Sequence, residues 1–254
     1  MAKSTYSPAQ HEAAFQWVAD DDLASLRACY RRRSSAPIDP ADQRRINQLM
    51  RSAADWDSAK CLRYLAVELG GDIHHTNNTK QDPNSPQQDP TTLVLAIYCD
   101  NAKKRDAMFQ ALMSVARADE LDSRACHWTR AARAALYMGD DAILRDLATF
   151  AGSARFSQWI GSICDPDGED AWSLAARGGS PNVIGILRGI PEMKARLDGS
   201  SFKTGRVADL AEAFGHTDFA FVIRSIADGE RERESIENAC QPANEECRAP
   251  SRRI

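Results

Sequence analysis

The sequence predicts an all-α chain, a solenoid of about six helix–turn–helix repeats, and three observations carry that prediction. Helix breakers recur at Asp21, Asp57, Asp100, Gly139, Gly179 and Gly215, with spacings of 36, 43, 39, 40 and 36 residues. Apolar residues recur at helical spacing in short runs, as at Val183, Ile184, Ile186 and Leu187. Few segments alternate apolar and polar with the period of a strand. Helices of two turns are marginal alone because nucleation is costly, so they need neighbours of the same kind.

The units follow one another in order. The first and loosest is "WVADDDLASLR" at 17–27, where Asp20, Asp21 and Asp22 lie between two helices. Acidic residues at that place cap the second helix and complement its N-terminal dipole. The second is "AADWDSAKCLRYLA" at 53–66 and the third "AIYCDNAKKRDAMFQAL" at 96–112, both broken by Asp. The fourth, "ALYMGDDAILRDL" at 135–147, is broken by Gly. The fifth, "GEDAWSLAARGGSPNVIGILRGI" at 168–190, divides at Gly178-Gly179. Pro181 then suits the first turn of the next helix, where its missing N–H costs nothing. The sixth is "AEAFGHTDFAFV" at 211–222. Gly takes the left-handed turn that ends a helix most easily, and Asp is among the few others that tolerate it. Five of the six units place Ala four residues before the breaker, where a larger side chain would hold neighbouring helices apart.

Asp165, Gly168, Trp172, Ala175, Ala176 and Gly179 stand at matching places of the pattern Asp-x-x-Gly-x-Thr-Pro-Leu-His-x-Ala-Ala-x-x-Gly-His. "AEAFGH" at 211–216 and "AVELGGDI" at 66–73 look like further pieces of the same motif. On these residues the stretch from about 10 to 228 resembles an ankyrin-repeat array, strongly in the fifth unit and weakly in the first. No unit keeps Thr-Pro-Leu-His intact, and the spacings exceed the family's usual ~33 residues. Irregular finger loops are therefore expected. The resemblance implies stacked helix pairs that bind a protein partner along a concave face, to mask, scaffold or inhibit it. The degenerate repeats are similar to those of bacterial stand-alone ankyrin proteins, which include effectors and immunity proteins. It also implies a structural role for His216 at its turn, and that the two residues before each breaker face the groove. Here those positions include Trp56, Tyr98, Tyr137, Met138, Arg177 and Phe214. Four of the six pairs contain an aromatic, although aromatics make up only 7% of the chain, and such residues dominate protein interfaces. The competing expectation is that helix packing is shifted and these residues are core.

Composition is consistent with an array. With 254 residues and 43% hydrophobic content, the chain can bury a continuous core by stacking. No run approaches the ~18 apolar residues of a membrane helix, and "LVLAIYC" at 93–99 is among the longest. "MAKSTYSPAQHEAAF" lacks the apolar core of a signal peptide, so a cytoplasmic protein is expected, or one delivered into a host cell without a cleavable signal. Seven cysteines with no Cys-x-x-Cys pair point to reduced, mostly buried thiols. Residues 1–9 read as an extension and 10–228 as the repeats. The polar, proline-bearing insertion at 74–90 reads as a solvated surface loop. From 229 to 254, mixed charge with almost no apolar residue predicts a turn or two of helix and then disorder.

No constellation carries recognisable catalysis, and no cofactor or metal is expected. His74, His75 and Asp72 suggest a metal, but adjacent ligands in a loop give no closed shell. Residues 27–51 hold seven arginines against Asp39 and Asp42, a patch that suits phosphates. Polynucleotide binding there, or an enzyme without a known motif, are the alternatives to a protein-binding module.

Overall fold

Seven of the described helices start at a side-chain cap, and most first helices stop where the backbone turns left-handed. The computed structural model describes residues 7–30, 38–76, 89–163, 170–198 and 201–240, and their regular structure is entirely helical. Helix α1 (Pro8–Ala19) opens on a capping box between Ser7 and Gln10, with Pro8 in its first turn. Asp22 caps α2 (Leu23–Cys29) by accepting from the Ser25 N–H. Asp39 and Pro40 begin α3 (Pro40–Asp55), and α4 (Ala59–Arg63) widens into a π-helical turn at Tyr64–Glu68. Thr91 caps α5 (Thr92–Ile97) and Asn101 caps α6 (Ala102–Met113). Helix α7 (Ala125–Tyr137) follows, then α8 (Asp141–Ala151), capped by Asp140, and α9 (Ser153–Gly161). Asp170 caps α10 (Ala171–Gly178), and Pro181 starts α11 (Pro181–Arg188). The last described helices are α12 (Pro191–Asp198), α13 (Ser201–Ala213) and α14 (Thr217–Cys240).

Five of the six breakers are left-handed: φ is +51° at Asp21, +55° at Asp57, +64° at Gly139, +71° at Gly179 and +83° at Gly215. Asp100 turns the third unit with an ordinary φ. The first helices pack in single file, α1 on α3, α3 on α5, α5 on α7, α7 on α10 and α10 on α13. Ala53, Ala96, Ala135, Ala175 and Ala211, each four residues before a breaker, are all fully buried. Backbones approach closest beside Gly178, where a Cβ would lie 2.3 Å from the Leu136 carbonyl oxygen and 2.5 Å from the Gly139 nitrogen. Second helices pack as α2 on α4 and α4 on α6, then α8 on α11 and α11 on α14. Between α6 and α8 run two polar links, Arg105 to Asp140 at 2.8 Å and Gln110 to Asp146 at 2.6 Å.

The array departs from six bare pairs. Helices α9 and α12 fill the connections between the fourth and fifth and between the fifth and sixth units. Trp159 of α9 stacks on Trp128 of α7 at 5.8 Å, and the Trp172 indole N–H donates to the Met193 carbonyl of α12 at 3.0 Å. Helix α14 runs to Cys240, longer than the one or two turns expected after 229, while 241–254 lie outside the described residues. The expectation of a wholly solvated insertion fails at its start. His74 is 2% exposed and packs edge-on against His127 and Trp128, because the loop at 70–76 folds back onto the start of α7. The rest of the insertion, 77–88, lies outside the described residues, as do 1–6 of the N-terminal extension and Asp165 and Gly168 of the ankyrin-like motif. Among the described residues, no helix is long and apolar enough to cross a membrane.

Candidate functional site

The turns that end the first helices are cross-linked from unit to unit, and these links position the residues beside them. A helix end leaves carbonyls without intrahelical partners. The Val18 carbonyl accepts from the Ser58 hydroxyl of the next unit at 2.5 Å, and the Cys99 carbonyl accepts at 2.9 Å from Arg105 of its own unit, which pairs with Asp140 of the next at 2.8 Å. The Arg177 carbonyl lies 2.7 Å from His216 Nε2, which must carry the proton because a carbonyl only accepts. His216 thus takes a structural role at its turn. Asp21 is more than a left-handed breaker, since its carboxylate accepts from the Cys61 backbone N–H of the next unit at 3.1 Å.

Beside these turns stand the aromatics. Trp56, Tyr98, Tyr137 and Phe214 are 44, 42, 44 and 48% exposed, which excludes a shifted packing that would make them core. Met138 and Arg177 are half-buried. Tyr98 and Tyr137, on successive first helices, meet edge to face at 6.2 Å and 79°. The Arg177 guanidinium sits 5.2 Å over the Phe214 ring. The structure therefore brings Tyr98 together with Tyr137 and Arg177 together with Phe214. Trp56 meets a residue that sequence reasoning missed, Phe15 of α1, edge to face at 6.4 Å.

Other neighbours were also missed. Half-buried Arg130 and Arg133 of α7 lie on the helical face of Tyr137 and close enough to Tyr98 to favour its ionised form, although burial dominates and pushes the phenol above its ordinary range. Burial likewise holds Arg130 below the usual guanidinium range. At the α1 end, His11, Phe15, Gln48, Arg51, Ser52 and Asp55 line a cleft of about 440 Å³. The His11 ring lies 2.9 Å from the Tyr30 hydroxyl, and burial lowers its pKa. The signal for these residues was available: Arg133 and Arg130 lie four and seven positions before Tyr137, one helical face. The pairing of Phe15 with Trp56 had no such signal, because 41 residues separate them.

Three arginines of the 27–51 stretch have partners among the described residues. Arg27 on α2 pairs with Glu68, Arg45 on α3 lies 4.0 Å from Asp42, and Arg51 donates to the Pro90 carbonyl. Arg31, Arg32 and Arg33 lie outside the described residues. Among the described cysteines, Cys61 and Cys99 are buried, and burial raises their thiols to about 12 and about 11; Cys29 and Cys126 are half-buried. Among the described residues, no three His, Cys, Asp or Glu side chains come together as a metal site. Comparison with protein families, with curated proteins and with solved structures found no match.

Proposed function

We propose that this chain is a degenerate ankyrin-type solenoid that binds a protein partner along the face carrying Trp56, Tyr98, Tyr137, Met138, Arg177 and Phe214. One observation carries the reading. Half-exposed aromatics stand at the ends of successive first helices, held in edge-to-face and cation–π contacts that order them before any partner arrives. Rigid, partly exposed aromatics and Arg are the side chains that become binding hot spots, because little rotamer freedom is lost when they are covered. The action is occupancy: the partner is masked, scaffolded or inhibited. Such a role suits a cytoplasmic inhibitor, an immunity protein or an effector.

The test separates binding from folding. Affinity capture with the parent and with Tyr98→Ala and Tyr137→Ala should yield one stoichiometric protein partner that both variants lose or bind about 1–4 kcal/mol more weakly. Each tyrosine hides somewhat more than half its surface, roughly 100 Å², so truncation costs the fold about 2 kcal/mol. A core aromatic would cost about 3–5 kcal/mol. A partner retained undiminished by both variants, or nucleic acid in its place, refutes the reading.

A further inference from the structure

The connection between the second and third units reaches on to the fourth, where a pair of histidines receives it. From Gly70 to Ile73 the chain is tied to α3 and α5. The Gln43 amide donates to the Gly70 carbonyl at 3.0 Å, the Asp72 N–H to the Asn47 side chain at 2.9 Å, and the Leu93 N–H to the Ile73 carbonyl at 3.1 Å. His74 then turns onto α7, its ring centroid 5.2 Å from that of His127 and 4.9 Å from that of Trp128, both edge-on. The His127 ring is also hydrogen-bonded to the His74 backbone. Trp128 is fully buried, with the rings of Phe150 and Trp159 against it as well.

The rings pack closely, yet their polar atoms are unsatisfied. Both nitrogens of His74, Nδ1 of His127 and the Trp128 indole N–H are buried without a hydrogen-bond partner. A neutral imidazole carries one N–H and an imidazolium carries two. A buried donor left unpaired costs free energy, and a buried charge without acceptors costs far more. The charged groups around the pair relieve that cost only in part. On the loop, Asp72 already accepts the His74 N–H at 2.9 Å and lies 3.8 Å from Arg124, while neighbouring His75 senses Asp72 and Arg51. On α7 and at its start, Arg130 and Arg124 oppose a further positive charge. Helices α8 and α9 bring uncharged rings, Phe150 and Trp159.

We propose that His74 and His127 form a proton-operated latch, in which two neutral imidazoles hold residues 74–76 on α7 and protonation frees them, opening Trp128 to solvent. This device is independent of whatever binds the aromatic face. Its sign follows from burial, which lowers docked His74 from 6.5 to about 4, so the freed loop takes up the proton first. Docking is strongest above about pH 6.5 and weakens as the pH falls toward 4, by roughly 30-fold at pH 5. Burial lowers His127 in the same direction and adds to the effect. The hydrogen bonds of Gly70, Asp72 and Ile73 hold no proton of the pair, so the units stay joined while the latch opens.

The experiment follows hydrogen exchange of the tryptophan indole N–H groups by nitrogen-15 NMR, on the full-length chain at about pH 7.5 and about pH 5, with each rate divided by that of free tryptophan. Protection at Trp128 should fall roughly 30-fold between the two. Trp172, whose indole N–H donates to the Met193 carbonyl at 3.0 Å, should keep its protection and so reports on the fold as a whole. His74→Phe keeps a ring that cannot be charged and should abolish the fall at Trp128; His74→Met serves in its place if the phenyl ring is not accommodated. Titration of the His74 ring proton in the parent needs no variant and should show a midpoint well below 6.5. A midpoint at about 6.5, unchanged protection at Trp128, a fall shared equally by Trp172, or a fall that survives in both variants overturns the latch.

Discussion

Replacing Gly178 by Ala sets two effects of opposite sign on one residue. Gly178 closes α10 with an ordinary helical φ, so helix propensity alone favours Ala by up to about 1 kcal/mol. The new methyl would lie 2.3 Å from the Leu136 carbonyl oxygen and 2.5 Å from the Gly139 nitrogen, both backbone atoms of the preceding unit. Backbone cannot swing aside as a side chain can, so α7 and α10 must separate at the point where Tyr137 and Arg177 stand. Overpacking costs about 1–3 kcal/mol, and rigid neighbours put this site at the upper end. The expected net loss is about 2 kcal/mol, a fall in Tm of roughly 4–8 °C for a chain of this size. Gly185, mid-way along α11, is the control, because a Cβ there meets nothing within 4 Å. Gly185→Ala should gain about 0.5–1 kcal/mol. Thermal melts of both variants beside the parent read the difference directly. Equal stabilisation by the two alanines would refute the close docking of the fourth unit on the fifth, and with it the alignment of the aromatic face.

Acid should weaken the fold through His74. Burial, with His127 and Arg124 nearby and only partial relief from Asp72, lowers its pKa from 6.5 to about 4, so the unfolded chain takes up the proton first. Stability present above about pH 6.5 is then lost as the pH falls toward 4, by roughly 2 kcal/mol at pH 5. His74→Phe should flatten that part of a urea-midpoint profile, and an unchanged profile would show that His74 is not buried. Asp140→Ala strips the partner from Arg105, a pair only 13 and 8% exposed, and removes the α8 cap. A loss of about 3–5 kcal/mol in urea denaturation is expected, with less for Asp140→Asn, which keeps a cap; a loss under about 1 kcal/mol would mean the pair is solvated.

What the sequence determined alone is local. A left-handed φ depends on the residue's own Cβ, so Asp21, Asp57, Gly139, Gly179 and Gly215 could be recognised as breakers without any knowledge of what packs around them. The cap at Asp22, the helix start at Pro181, and the buried stripe with its alanines are local in the same way. The exposed aromatics were legible because their positions are counted from those breakers. What tertiary structure decided is everything that joins residues distant in sequence. His74 lies in a polar stretch that reads as loop, and only its docking on Trp128, 54 residues later, buries it. Helices α9 and α12 occupy segments that read as irregular connections, and α7 and α10 supply the tryptophans that hold them. The contact of Phe15 with Trp56, and the approach of Arg130 and Arg133 to Tyr98, have the same origin. Backbone preference acts within a few residues, whereas burial and pairing depend on which helices meet, and in this array each unit's neighbours are supplied by the units before and after it.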